Sequence, residues 1–226
     1  MIPTVQNVLK PVAYGFLCAS LVLAVSGWAL LHIDHGRVSA FDESVRTAVH
    51  SVAVPPLTVV MQIVTWLGSV PVLAGLGILL SVVLYRRGFS DQTPFPLAAA
   101  LSAEILTEIT KWIVRRPRPP AWFDLHASEP WSFPSGHSLD STVCCLVFGA
   151  ALLSMLRSRR AYMAVIVSAV ALPLLIGFSR VYLGMHWPTD VVASWIAGAS
   201  LAAGLIRARA IPAYFGSRIR RAHSST

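Results

Sequence analysis

Apolar residues fill this chain in long blocks, and polar residues gather between them. A helix that crosses a bilayer needs roughly 20 mostly apolar residues. Six blocks meet that need: about 12–33, 69–85, 94–114, 137–156, 161–179 and 189–207. The segment 41–67 has a different pattern. Its opening, Phe41 to Ser51, is amphipathic at helical spacing, Pro55-Pro56 interrupts it, and an apolar stretch to Trp66 follows. That predicts an interfacial helix and then a short helix lying against the bundle. A seventh span is the alternative, and it would invert the topology of everything after it. The expected fold is all-α: a polytopic membrane helix bundle of about six transmembrane helices, with an interfacial helix after the first span.

Composition agrees with this pattern. Of 226 residues, 55% are hydrophobic and 12% charged, against about 25% charged in a soluble domain. The mean hydropathy is +0.66. The length suits a single membrane domain over 1–210, followed by a basic tail, 211–226, suited to touching anionic lipid. The first apolar run, Val12 to Ile33, exceeds the roughly 7–15 residues of a signal-peptide core and is expected to stay as a span.

The net charge of +8 does not point to nucleic acid, because the cations cap apolar runs instead of lining an aromatic-laced groove. With the N-terminus in the cytoplasm, Lys10, Arg86, Arg87, Arg157, Arg159, Arg160 and the cations from Arg207 onward all fall inside. Outside remain Arg37, Arg46 and the cations of two motifs described next, which fits the positive-inside rule. This expectation places both termini in the cytoplasm. Cys18, Cys144 and Cys145 lie within apolar runs and read as packing residues. The sequence carries no signal for oligomeric state.

Three polar motifs fall at the outer ends of spans three to six. The first holds Lys111, Arg115, Arg116 and Arg118, stiffened by Pro117, Pro119 and Pro120. The plain reading is interfacial anchoring; the chemical one is a rigid loop of guanidinium groups suited to phosphate. The second is Phe133-Pro134-Ser135-Gly136-His137. Ser135 can cap the fourth span, whose first-turn amides form an anion site, and Gly136 permits close approach of an oxygen. An ordinary cap with a neighbouring histidine is as good a reading of that motif alone. The third holds Ser179-Arg180, His186 and Asp190. Four residues apart at a helix start, Asp190 and His186 can meet, leaving the other ring nitrogen free to attack. A polar cap beside an interfacial histidine is the alternative.

Taken together, Lys-x6-Arg-Pro, Pro-Ser-Gly-His and Ser-Arg-x5-His-x3-Asp resemble the three-part signature of the type 2 phosphatidic acid phosphatase superfamily, with no departure at any signature position. The resemblance implies that His186 is a nucleophile forming a phosphohistidine, oriented by Asp190, and that His137 is the acid for the leaving oxygen. It implies a phosphate cage of Lys111, Arg118, Arg180, Ser135 and Gly136, and chemistry without metal or other cofactor. The implied activity is hydrolysis of a membrane lipid phosphate or diphosphate at the outer face. Undecaprenyl diphosphate, phosphatidylglycerol phosphate and phosphatidic acid are the implied candidates, with a lean to an isoprenoid diphosphate. Vanadate-dependent haloperoxidase-like chemistry is the alternative within the superfamily. A non-catalytic lipid-phosphate binding or transport protein is the alternative outside it.

Other polar residues have plainer expected roles. Glu104, Glu108 and Lys111 share a helix face, and Glu108 is expected to pair with Lys111. Asp140 complements the helix start or tunes His137. Trp122, Phe123, Trp131 and Trp187 read as interface anchors or as walls of a lipid path. His32, His35, His50 and His126 read as loop or interface residues, without the spacing of zinc ligands.

Overall fold

In the computed structural model the described residues are 5–32, 39–120, 122–123 and 129–223, with side chains described for 7–32 and up to 210. Arg37, His35, Asp34, Asp124 and His126 lie outside them. Among the described residues eight α-helices follow one another: α1 Val5–His32, α2 Ala40–His50, α3 Pro55–Leu67, α4 Val70–Arg86, α5 Pro94–Val114, α6 Gly136–Leu153, α7 Arg159–Tyr182 and α8 Pro188–His223. Each of the six expected spans is a helix.

Helices α1, α6, α7 and the Pro188–Ala210 part of α8 are long and apolar enough to cross a membrane by themselves. The other two fall short for readable reasons. Helix α4 has 17 residues, and α5 carries Glu104, Glu108 and Lys111 through its second half. Helix α8 stays helical to His223, well past the expected end at 207. Outward faces are rich in exposed Leu, Val, Ile and Trp, such as Leu21, Leu79, Leu101, Ile113 and Val167, which is how a bundle facing lipid tails differs from one facing water.

The core is built where α6 passes between α5, α7 and α8, with Leu139, Val143, Val147, Ala197 and Leu201 fully buried. Helix α1 packs along α8, closest at Gly15 and Gly204. Chain direction alternates through α5, α6, α7 and α8. The end of α5, the start of α6, the end of α7 and the start of α8 therefore meet at one face of the bundle.

The segment after α1 is two helices that bend by 119°. Ser39 caps α2 by accepting from the Asp42 amide at 3.1 Å, and Pro55 and Pro56 start α3. Helix α3 lies against α7. Two charged residues of amphipathic α2, Asp42 and Arg46, are buried, and that feature matters for the site.

Candidate active site

The loop after α5 begins where Arg115 takes a left-handed backbone conformation, φ 52°, and turns the chain. Arg115 remains outside, its Nε donating to the Trp112 carbonyl. Arg116 and Arg118 turn inward. The Ser132 amide donates to the Arg116 carbonyl at 2.8 Å, tying the second motif to the first. Helix α7 ends in a paired closure: the Gly184 amide donates to the Val181 carbonyl and the Met185 amide to the Arg180 carbonyl, both at 3.0 Å. That geometry needs the left-handed φ of Gly184, 70°. It delivers His186 to the cavity two residues later.

His186 is 2% exposed. Its Nδ1 lies 2.7 Å from the Ser132 carbonyl, which can only accept, so Nδ1 carries the proton. Its Nε2 lies 3.0 Å from Nη1 of Arg118, which can only donate, so Nε2 presents a lone pair. Burial, reinforced by the charges of Arg180 and Arg118, holds the imidazole well below the ordinary histidine range. The ring is neutral and its tautomer is fixed by neighbours on both sides.

Asp190 stands differently from the sequence expectation. Its Oδ2 is 3.7 Å from His186 Nδ1, beyond a hydrogen bond. That oxygen accepts instead from the Trp187 amide at 3.0 Å, closing the first turn of α8 as the third helical residue does in a capping box. The other oxygen is bound by Nη1 of Arg116. The carbonyl of Ser132 orients the ring, and Asp190 supplies a nearby fixed negative charge.

A cavity of about 670 Å³ opens in front of His186. Lys111, Arg118, Gly136, His137, Arg180 and His186 all line it. Residues from three different motifs, spread from 111 to 186, thus share one space. Trp66 and Val70, from α3 and α4, supply an apolar part of its wall. Glu104, Glu108, Glu129 and Asp140 line it too. Lys111 Nζ donates to Glu108 and to Glu129, each at 2.7 Å. The Lys111 hydrogen bond holds the Glu129 carboxyl below its usual value, despite partial burial. Arg118 also donates to the Glu129 and Met185 carbonyls, at 2.7 and 2.8 Å, and burial lowers its guanidinium pKa. Arg180, 7% exposed, donates to Thr65 Oγ1 at 2.9 Å, while its buried Nε has no partner among the described residues. Arg180 thus brings a guanidinium with few partners to the cavity wall, where an anion could take it up.

One expected cage member, Ser135, and the expected orienting partner, Asp190, sit off the cavity wall. Ser135 is fully buried and does not reach the cavity. Its hydroxyl pairs with Ser138 at 2.9 Å, its amide donates to Ser194 at 2.9 Å, and its side chain caps none of the α6 amides. The reason is local: the Ser138 hydroxyl engages the Ser135 side chain inside the packed helix junction. Asp190 likewise lies behind His186 and not on the cavity wall. Trp187 is no interface anchor; it is 3% exposed, and its indole N–H donates to the Pro117 carbonyl at 3.0 Å. Among the described residues no cluster of His, Cys, Asp and Glu could hold a metal ion.

Three contributors went unread in the sequence: Ser132, Arg116 as distinct from its neighbours, and Asp42. Ser132 acts through its backbone carbonyl. Asp42 is 0% exposed and accepts from Arg116 at 2.7 Å and from the Thr189 amide and hydroxyl at 2.9 and 2.7 Å. A charged residue on the buried face of an otherwise amphipathic helix was the available signal.

Membrane-length helices thus carry a cationic, histidine-bearing cavity at one end, the setting of a membrane phosphatase. Residues 95–211 match the PAP2 superfamily, and the chain belongs to that family. It is 30% identical over 170 residues to phosphatidylglycerophosphatase B of Bacillus subtilis, covering 74% of this chain and 82% of the relative. It is 33% identical over 101 residues to an undecaprenyl-diphosphatase of Sulfolobus acidocaldarius, covering 42% of this chain and only 45% of that relative's length. Among solved structures, the transmembrane PAP2-type phosphatidylglycerolphosphate phosphatase from Bacillus subtilis superposes with a TM-score of 0.70 at 25% identity, over 91% of this chain and 98% of that one. LpxE of Aquifex aeolicus superposes with a TM-score of 0.55 at 25% identity, over 75% and 95% of the two chains.

Proposed function

We propose that this membrane phosphatase hydrolyses a lipid phosphate or diphosphate, of the undecaprenyl diphosphate, phosphatidylglycerol phosphate or phosphatidic acid class, through a phosphohistidine on His186. The observation that carries the reading is the fixed neutral tautomer of His186, its Nε2 lone pair in a cavity shared with Arg118, Arg180 and His137. In the first step Nε2 attacks phosphorus. The N–P bond forms, the bond from phosphorus to the leaving oxygen breaks, and His137 gives that oxygen a proton. In the second step water attacks phosphorus and yields a proton to His137. The N–P bond breaks, its electron pair returns to Nε2, and inorganic phosphate leaves.

Arg118, Arg180, Lys111 and the first-turn amides at Gly136 stabilise the equatorial oxygens as charge moves onto them. Asp190 stabilises the positive charge that the ring acquires on phosphorylation. Residues 1–210 form the enzyme, and 211–226 a basic tail. The cation distribution supports cytoplasmic termini and an active site on the opposite, outer face of a bacterial inner membrane.

The test is release of inorganic phosphate from detergent-solubilised lipid phosphates by the intact chain, with EDTA present and no vanadate added. Undecaprenyl diphosphate, phosphatidylglycerol phosphate and phosphatidic acid are compared at fixed detergent. Turnover by wild type and none by His186→Ala is the expected result. Comparable release by the variant would rule out His186 as the nucleophile, and no release from any of the three lipids would rule out the substrate class.

A further inference from the structure

Helix α2 lies outside the three motifs, yet its inward charges are stapled to two of them. Arg46, 3% exposed, donates through Nη2 to the Pro120 carbonyl of the first-motif loop. Its guanidinium lies 3.7 Å from the centre of the Trp122 ring and 5.5 Å from that of Trp187. One turn earlier, Asp42 holds the third motif. It accepts from the Thr189 amide, an otherwise orphan donor in the first turn of α8, and so caps that helix from a distant part of the chain. The same carboxylate accepts from Nη2 of Arg116, whose Nη1 holds Asp190 and Thr189.

The outcome is a buried row of carboxylate, guanidinium and carboxylate ending beside His186. Arg116 alone would cancel the charge of Asp190. With Asp42 on the far side, the row carries one net negative charge, and Asp190 remains an effective anion 3.7 Å from the imidazole Nδ1. We infer that Asp42 is a positioning residue for catalysis: by occupying the outer edge of Arg116 it offsets that guanidinium and keeps Asp190 electrostatically negative toward the ring of His186. This rests on the phosphohistidine reading above. It makes the interfacial helix part of the catalytic assembly and not only a membrane anchor. Because the row faces the back of the imidazole and not the cavity, its effect falls on the step that puts positive charge on the ring. Substrate binding is untouched.

The experiment measures kcat and KM per folded enzyme, with the folded fraction taken from size exclusion, for wild type, Asp42→Asn, Arg116→Met and the double variant, alongside His186→Ala. Asp42→Asn leaves Arg116 uncompensated against Asp190; the expected result is a fall in kcat of about tenfold or more with KM unchanged. Removing Arg116 as well frees Asp190 again, so the double variant regains kcat relative to Asp42→Asn. If Asp42→Asn does not fold, Arg116→Lys carries the test: a single ammonium lacks the fork that spans both carboxylates, and kcat should fall in the same way. Unchanged kcat in Asp42→Asn, unchanged kcat in Arg116→Lys, or a double variant no better than Asp42→Asn, would each overturn the inference while leaving the phosphohistidine reading intact. Activity surviving in His186→Ala would overturn both.

Discussion

The substitution Gly136→Ala separates the anion site at the start of α6 from the stability of the helix that bears it. A Cβ at this position would meet Thr107 Cγ2 at 3.2 Å, Asp140 Oδ2 at 3.6 Å and Lys111 Nζ at 3.9 Å. The first contact is tight by a few tenths of an ångström, within reach of a small shift of Thr107. Against that strain stands the better helix propensity of alanine, up to about 1 kcal/mol. The two nearly cancel, and the thermal midpoint should move by no more than roughly 4 °C. Substrate should fare worse, since the new methyl fills the space between the helix-start amide and the Lys111 ammonium. A phosphate oxygen then cannot keep both contacts. Losing one charge-assisted hydrogen bond costs about 1.5–3 kcal/mol, a factor of roughly 10–150 in kcat/KM. The assay is the initial rate of phosphate release against lipid phosphate concentration in mixed micelles, with thermal unfolding of the same preparations. A kcat/KM within about twofold of wild type at an unchanged midpoint would refute the idea that phosphate seats against Gly136.

Three further outcomes follow from the same geometry. His137→Ala should slow hydrolysis of an alkyl phosphate far more than that of an activated aryl phosphate, whose leaving group needs no proton; equal slowing on both would contradict the acid role. Since His186 is held neutral in the fold, the unfolded chain binds a proton below about pH 6.5 that the native chain refuses. Its contribution to stability is therefore full above that pH and lost as pH falls, at up to about 1.4 kcal/mol per pH unit. Unfolding midpoints from roughly pH 7 to 5 should fall less steeply in His186→Gln than in wild type, and parallel curves would count against a buried neutral ring. Glu108→Gln should lower turnover several-fold by loosening Lys111, which it holds at 2.7 Å; an unchanged rate would dismiss that positioning role.

What could be read from the chain, and what could not, divides by sequence distance. The spans were legible because apolar blocks and their flanking cations are local patterns. The shared cavity was legible because three motifs of fixed spacing fall at alternate helix ends, which an even span count brings to one face. Asp190 shows where this reasoning stopped. Spacing placed it within reach of His186, but a backbone amide and Arg116 took its oxygens first. Ser132 was invisible, since a carbonyl is present at every residue and no side chain marks the one that is used. Ser135 was misplaced by a sound capping rule, because the rule does not know that the Ser138 hydroxyl takes its side chain. Asp42 lies 74 residues from Arg116; in an amphipathic stretch it reads as one more solvated acid until the packing of α2 is known.

The resting site also explains how so many cations can sit at the end of an apolar bundle. Each is compensated to a different degree. Lys111 is held by two carboxylates, whereas Arg118 is held by two carbonyls and the His186 lone pair. Arg180 has a single hydroxyl and is the least satisfied of the three. In the proposed reaction phosphate arrival is therefore an exchange and not an addition. At Lys111 the incoming anion competes with Glu129, which is partly exposed and comes from the loop, so the net gain there is small. At Arg180 a phosphate would displace no carboxylate, so on the proposed reading the gain there is larger. At Arg118 it releases the Nε2 lone pair that the guanidinium had engaged, so nucleophile and phosphorus become free to meet in the same event. If His186 is the nucleophile proposed above, Arg180 would supply most of the grip, Lys111 would tune it through a displaceable loop carboxylate, and Arg118 would unmask His186 only when a phosphate is present.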